Sequence, residues 1–429
     1  MNGKNPRQIA LRVLQARAGG DYTETLLERA LDPVNIRPND RALCQELAYG
    51  AVRWQATLDW LIARKTEGRK QNAGIQSLLR LGLYQIFWLD RIPPHAAAHE
   101  TVELAKTEGF GPKSGFINAI LRGYLREFET TKDLLVALKT SDPALGSSHP
   151  QWLFEIWQKR FGQEPSSQLA KWNNIPPKTF ARANTMKTDA GKLIETWRAE
   201  GVEYDFVRRD FLSENTAFEL KSHPPLASLE SFRNGWFYVQ DPGTLLAPLE
   251  LAPKAGETIL DLCAAPGGKT AFIAQLMDNT GRIVACDVSE ERLQLIRENC
   301  QRLGITCVET LPNSKLAALN VKFDKVLIDA PCSNTGVLRR RVDLRWRVTA
   351  DEIARLQKAQ LDLLHFAADQ LKPGGVLVYS TCSLEPEENT DVIREFISSH
   401  PNFKMERQRE LLPFADQVDG AYVSCLVCA

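Results

Sequence analysis

Apolar residues in the first third of the chain recur at helical spacing: Ile9, Val13 and Leu14, then Leu43, Leu47 and Val52, then Leu78, Leu81, Tyr84 and Ile86. Steps of three and four residues put one apolar stripe on each helix, which predicts an all-helical domain over 1–142. Gly19-Gly20, Pro33, Pro38, Pro93-Pro94 and Gly109 to Gly111 punctuate it as helix connections. A turn-rich break from Ser141-Asp142-Pro143 to Pro150 ends it. Over 148–240 the pattern mixes a helix (Trp152 to Phe161), short apolar runs at Thr179 to Ala183 and Trp236 to Val239, and turn clusters at Pro176-Pro177 and Pro224-Pro225. This predicts a small α+β connector. Within 241–429, apolar runs at 258–264, 282–287, 306–309, 325–330 and 375–380 alternate with helical segments at 270–277, 290–303, 350–371 and 387–400. Alternation of strand and helix implies right-handed crossovers and a parallel sheet covered on both faces, a doubly wound α/β fold.

Composition narrows the class without changing this layout. With 44% hydrophobic and 25% charged residues in a chain of 429, disordered, collagen-like and coiled-coil architectures are excluded. No run approaches the roughly 18 apolar residues of a spanning helix, and Met1 to Ala10 lacks the apolar core of a secretory signal. A soluble, cytoplasmic protein is expected. The 53 basic and 53 acidic residues cancel overall, yet residues 1–140 carry 20 basic against 15 acidic groups, so a basic surface on the helical part is compatible with a neutral whole. The nine cysteines, mostly inside strand-like runs, read as reduced thiols.

The candidate chemistry clusters at predicted strand ends. The first strand of the α/β part runs through Asp261 and Leu262 into Cys263-Ala264-Ala265-Pro266-Gly267-Gly268-Lys269-Thr270 and then a helix. Glycines at such a turn let backbone approach a ligand, and the helix start favours an anionic group. A P-loop would need glycine where Cys263 stands. Asp287 ends the second strand, 19 residues past Gly268, where a carboxylate accepts hydrogen bonds from ribose hydroxyls. Its alternative is a helix start beside Ser289. Together the two features point to an adenosine cofactor, NAD and S-adenosylmethionine both fitting. Asp329-Ala330-Pro331-Cys332-Ser333 and Ser380-Thr381-Cys382-Ser383 close two later strands, so both cysteines fall on the edge where open parallel sheets bind ligands. Cys44, Cys263, Cys286, Cys300 and Cys307 read as packing residues, and neither the single Cys425/Cys428 pair nor His95 with His99 has the further ligands of a metal site. Arg339-Arg340-Arg341 and Arg345-Trp346-Arg347, directly after Cys332, suggest phosphate contacts and base stacking, against the plainer reading of a solvated loop.

The motifs DLCAAPGGKT, DAPCSNTG and STCSLEPEEN, in that order, resemble the S-adenosylmethionine-dependent RNA cytosine-5 methyltransferases of the RsmB/NOP family. Ser148-His149-Pro150-Gln151-Trp152-Leu153 and Val239-Gln240-Asp241-Pro242 extend the likeness upstream, and Arg91 to Ala96 with Phe116 to Arg122 resemble a NusB-like RNA-binding domain. The resemblance implies a Rossmann-like methyltransferase domain behind an all-α NusB-like domain and the connector, with 16S ribosomal RNA as partner, no metal, no membrane, and a monomer. It implies Cys382 as the nucleophile on cytosine C6, Cys332 as the thiol that assists product release, and Asp329 on the cytosine edge. The cofactor would touch Cys263, Ala264, Ala265, Pro266, Gly267, Gly268, Lys269, Asp287, Asn313 and Asp329. RNA contacts would come from Arg339, Arg340, Arg341 and Arg345. Asn313 stands where the family usually has an acid, Arg340-Arg341-Val342-Asp343 replaces Arg-His-Pro-Asp, and the ending from Asp419 lacks the usual aromatic pair, which predicts a looser last strand. The rival readings are a transfer-RNA substrate, exchanged roles for the two cysteines, and a non-catalytic RNA-binding assembly factor.

Overall fold

The computed structural model describes residues 5–32 and 36–429, so Met1 and the Pro33 connection lie outside the described residues. The chain forms two compact units, one of residues 1–175 with 338–347, the other of 176–337 with 348–429.

The first unit is helical. Helices Pro6–Ala16, Thr23–Leu31, Pro38–Arg53, Gln55–Lys65, Ala73–Trp88, Pro94–Ala105, Ser114–Arg126 and Phe128–Ser141 surround one apolar core, and Ile9, Val13, Leu47, Val52, Leu78 and Leu81 are buried there as their spacing predicts. Gln151–Phe161 and Gln163–Asn174 complete it. The segment 338–347 packs into this unit, with Val342 and Trp346 joining the core.

This placement corrects the assignment of Arg339 and Arg345 to RNA. Arg345 is fully buried, and its Nη1 donates to the carbonyls of Arg53 (3.0 Å) and Ser148 (3.0 Å) and to Asn174 Oδ1 (2.8 Å), while Nη2 donates to Asn173 O (2.9 Å). Arg339 is buried with its guanidinium 4.1 Å from the Trp172 ring centre. Neither is offered to phosphate; of the four, Arg341 alone is exposed and Arg340 is half-buried. A guanidinium's forked donors suit the unpaired carbonyls at a helix C-terminus, and Trp346 Nε1 satisfies the neighbouring Val52 O at 2.8 Å. Asp343 does the converse: it accepts from Thr23 N (2.8 Å) and pairs with Arg17 (2.8 Å), capping a helix whose own cap residue, Tyr22, makes no side-chain bond.

The second unit holds two sheets. A four-stranded antiparallel sheet comprises β1 (Thr179–Ala183), β2 (Glu203–Phe206), β3 (Ala217–Ser222) and β4 (Phe237–Val239) in the order β2-β3-β1-β4, with Trp197 buried beneath it. The larger sheet contains β5 (Thr258–Leu262), β6 (Arg282–Asp287), β7 (Val308–Pro312), β8 (Phe323–Asp329), β9 (Leu371–Thr381), β10 (Phe403–Leu411) and β11 (Ala421–Cys428) in the order β10-β11-β9-β8-β5-β6-β7. β5 to β9 are parallel, as the alternation predicts, but β11 inserts antiparallel between β9 and β10, so the sheet is mixed. The expected looseness of the ending is corrected too: β11 is buried from Ala421 to Leu426 and paired on both sides. Apolar cores cover both faces, and among the described residues no helix is long and apolar enough to cross a membrane.

Candidate active site

Strand order reverses beside β5, between β8 and β6, which opens a crevice at the carboxyl ends of these strands. β5 is a run of buried residues that ends in a turn, with Cys263 at φ 61° and Gly267 at φ 97°, before the helix Gly268–Leu276 begins. A Cβ on Gly268 would lie 2.9 Å from the Tyr238 ring, so any side chain there would have to displace that ring. Asp287, at the end of β6, accepts from Ala265 N (3.0 Å) and Val288 N (2.8 Å) and pairs with Arg292 (2.7 Å). It therefore pins the turn, and with about four lone-pair sites it keeps room for one further donor. Asn313 follows β7, and its Oδ1 is buried without a hydrogen-bond partner.

The reactive groups converge across β8 and β9, whose ends align with Asp329 opposite Ser380. Cys332 Sγ and Cys382 Sγ lie 3.3 Å apart, and the Cys382 thiol donates to Asn334 Oδ1 at 3.0 Å. Cys382 is half-buried whereas Cys332 is buried. The adjoining Cys382, then burial, push the Cys332 thiol well above its usual range, so Cys332 keeps its proton. Lys269 Nζ meets Asp329 Oδ2 at 2.6 Å. Burial alone would lower the ammonium, but Asp329 and, behind it, Cys382 raise it, so it stays charged. Cys263 is pushed up to about 12 by burial and then by Asp329, which leaves it a neutral packing thiol at the turn. Asp261, on β5, takes a 2.6 Å hydrogen bond from Thr270, and burial raises it to about 7.

Both cysteines, Asp329, Lys269 and the glycine turn thus come together in one unit, while Arg339 and Arg345 do not join them. Sequence reasoning missed three supports that lie inside its own motifs. Asn334 holds the Cys382 thiol. Glu388, fully buried, accepts from Ser333 N (2.8 Å), Ser333 Oγ, Ser383 Oγ (2.5 Å) and Gln360 Nε2 (3.1 Å), tying the two cysteine loops to one carboxyl group. Gly336 receives the backbone of the Cys382 loop, its N–H donating to Cys382 O at 2.9 Å. No local signal marks Glu388, which stands among Glu385, Glu387 and Asp391.

Residues 248–426 match the family model described as 16S rRNA methyltransferase RsmB/F, residues 4–126 that of the NusB family, and residues 149–209 that of an RsmF/B-like ferredoxin-like domain. The chain is 37% identical over 420 residues to the probable ribosomal RNA small subunit methyltransferase B of Bacillus subtilis (strain 168), covering 96% of this chain and 92% of that protein. It is 36% identical over 405 residues to ribosomal RNA small subunit methyltransferase B of Vibrio cholerae, covering 91% and 90%. The crystal structure of NSun6 from Pyrococcus horikoshii with SFG superposes with a TM-score of 0.59 at 25% identity, covering 65% of this chain and 98% of that one.

Proposed function

Because this chain belongs to the 16S rRNA methyltransferase RsmB/F family, and is thus a methyltransferase, we propose that it methylates C5 of a cytosine in 16S ribosomal RNA through a covalent Cys382 adduct. The observation that carries this reading is the pair of thiols 3.3 Å apart, one half-buried and one held protonated, beside the Lys269–Asp329 ion pair. The residues at the crevice fit S-adenosylmethionine: the turn Cys263 to Lys269 would take its main body, Asp287 a ribose hydroxyl, and the unpartnered Asn313 Oδ1 an adenine amino group. The analogue SFG carried by the Pyrococcus protein is consistent with that choice. When bound, the cofactor supplies an electrophilic methyl group on a sulfonium.

Cytosine C5 is a poor nucleophile, which is what the thiol remedies. The Cys382 thiolate forms a bond to C6, and the electron pair of the C5–C6 double bond moves onto the ring, making C5 enamine-like. Once C5 carries the methyl group, a base removes the C5 proton, the electron pair re-forms the double bond, and the C6–S bond breaks to return the thiolate. Charged Lys269 lies close enough to stabilise that thiolate, and Asp329, half-exposed at 34%, faces the crevice where the base edge would sit. Cys332 keeps a proton within reach of the leaving sulfur. A thiol is required because it offers far more anion near neutral pH than a hydroxyl. Ser383 is no substitute for it. A paired cytosine hides C5 and C6 in the stack, so the target must be unpaired or flipped out at a few kcal/mol.

The test combines unmethylated 16S ribosomal RNA, labelled cofactor, and the wild type beside Cys382→Ala and Cys332→Ala, with bisulfite mapping. The expected result is one new 5-methylcytosine, absent with Cys382→Ala, and protein trapped on RNA with Cys332→Ala. Trapping by Cys382→Ala instead would exchange the two roles. Methylation of transfer RNA in place of 16S RNA would overturn the substrate, and cofactor binding without transfer to any RNA would overturn the catalytic reading.

A further inference from the structure

All nine cysteines are free thiols, and among the described residues one pair alone has its sulfurs in contact: Cys332 Sγ and Cys382 Sγ, 3.3 Å apart. The architecture builds this contact. β8 and β9 run side by side up to Asp329 and Ser380, so residues three and two positions further on meet at the same end of the sheet. Glu388 ties the adjoining Ser333 and Ser383 together, and Gly336 N–H donates to Cys382 O at 2.9 Å. A disulfide holds its sulfurs at about 2.05 Å, so each sulfur has to travel only roughly 0.6 Å. That is a swing of less than ~30° about χ1.

The two thiols are not equivalent. Cys382 is half-buried and stands near the charged Lys269 ammonium, the partly exposed electropositive setting in which a cysteine reacts as thiolate. Cys332 is buried and protonated against it. A sulfur open to solvent meets a peroxide first, and a second thiol in contact with it intercepts the product. We propose that Cys332 and Cys382 form a peroxide-responsive switch, closing to a disulfide that stops methyl transfer and reopening to a dithiol reductant. In the first step an electron pair of the Cys382 sulfur forms a bond to one peroxide oxygen, the O–O bond breaks, and the departing hydroxide leaves as water with the thiol proton. In the second, the Cys332 sulfur attacks the Cys382 sulfur, the S–O bond breaks, and the hydroxyl leaves as water with the Cys332 proton. Two thiols and one peroxide thus become one disulfide and two waters. The largest cause that holds the Cys332 proton in the resting enzyme is the adjoining Cys382 thiol, which the first step replaces. Once bonded, Cys382 has no free sulfur for cytosine C6, and it is spared oxidation to the sulfinic acid, which thiols do not reverse. That the bond silences the enzyme rests on the role proposed above for Cys382; that it forms rests on the geometry of the two loops.

The experiment treats the full-length protein with graded hydrogen peroxide in the absence of RNA, blocks the remaining thiols with N-ethylmaleimide under denaturing conditions, and maps the peptides by mass spectrometry. The expected product is the Cys332 peptide joined to the Cys382 peptide of the same chain, lighter by two hydrogens than the separate pair. Methyl transfer to 16S RNA by the same sample should fall roughly tenfold or more, since the nucleophile is gone, and dithiothreitol should undo both changes. Cys428→Ser, which removes a half-buried thiol outside the pair, should leave the cross-link and the recovery intact. In Cys332→Ser the Cys382 peptide should instead gain two oxygens that dithiothreitol does not remove. The cross-link itself is read in the wild type, so the test stands however well Cys332→Ser folds. Three results each overturn the proposal: two oxygens on wild-type Cys382 with no bond to Cys332, a bond from either residue to another cysteine, or a cross-linked protein that still methylates. An untreated wild type that leaves 16S RNA unmethylated counts against the substrate reading, while the peptide map still decides whether the disulfide forms.

Discussion

Glu388 joins the two loops that must act together. Its Oε1 accepts from Ser333 N and Gln360 Nε2, and its Oε2 from the hydroxyls of Ser333 and Ser383, so the neighbours of Cys332 and Cys382 answer to one side chain. Tyr379 further holds its backbone, donating to Glu388 O at 2.7 Å. Leaving the buried Ser333 N–H unsatisfied would cost about 1–3 kcal/mol, enough for the loop to shift instead. A displacement of the order of 1 Å at a reacting group is worth roughly 100-fold in rate. Glu388→Ala is thus expected to lower kcat by one to two orders of magnitude with little change in the KM for cofactor, and Glu388→Gln, which keeps an acceptor for Ser333 N, to recover part of it. Equal losses of kcat and cofactor affinity in both variants would mean that Glu388 acts only on folding. Such residues were hard to read beforehand: a glutamate in a charged stretch gives no hint that its partners are hydroxyls 55 positions upstream and five upstream.

The strands that carry the site were legible because a parallel strand buried on both faces is a short continuous apolar run. β6 and the helix Glu290–Leu303 fall at the predicted residues, the latter delimited by Ser289 at its start and Gly304, at φ 75°, at its end. β10 and β2 were illegible for the opposite reason: most of their residues are exposed, so no alternation marks them. β11 is apolar enough, but nothing local tells that it will enter the sheet antiparallel beside β9. That insertion matters for the site, since Gly420, one residue before β11, donates to Gly336 O at 2.9 Å. A Cβ on Gly336 would stand 2.7 Å from Gly420 O and 2.8 Å from Cys382 O, both backbone atoms that cannot swing aside. Gly336→Ala should therefore cost about 1–3 kcal/mol and displace the Cys382 loop. Denaturant titration and single-turnover methylation would show this as lower stability and a rate at least tenfold slower. A wild-type single-turnover rate would mean that the three segments slide apart harmlessly.

At the scale of the whole chain, residues 338–347 leave the unit that contains their neighbours Val337 and Val348 and complete the other. Arg345 was read as an RNA contact because its true partners, the carbonyls of Arg53, Ser148 and Asn173, have no signature in a sequence. The segment caps the start of one helix through Asp343 and the end of another through Arg345 and Trp346, and it buries Val342 in the helical core. A fragment of residues 1–175 lacks all of these. Its Arg53, Ser148 and Asn173 carbonyls lose their donor and Thr23 N loses its acceptor, each at about 0.5–1.5 kcal/mol net where water can take over. The fragment should consequently be less stable than the same unit in the full chain, and a peptide of residues 338–347 added in trans should raise its Tm in proportion to the logarithm of peptide concentration above the Kd. Peptides carrying Asp343→Ala or Arg345→Met should raise it less, Arg345→Met the most impaired because four hydrogen bonds go at once. A fragment whose Tm ignores the wild-type peptide up to millimolar concentration would show that the segment follows the helical unit's fold without stabilising it.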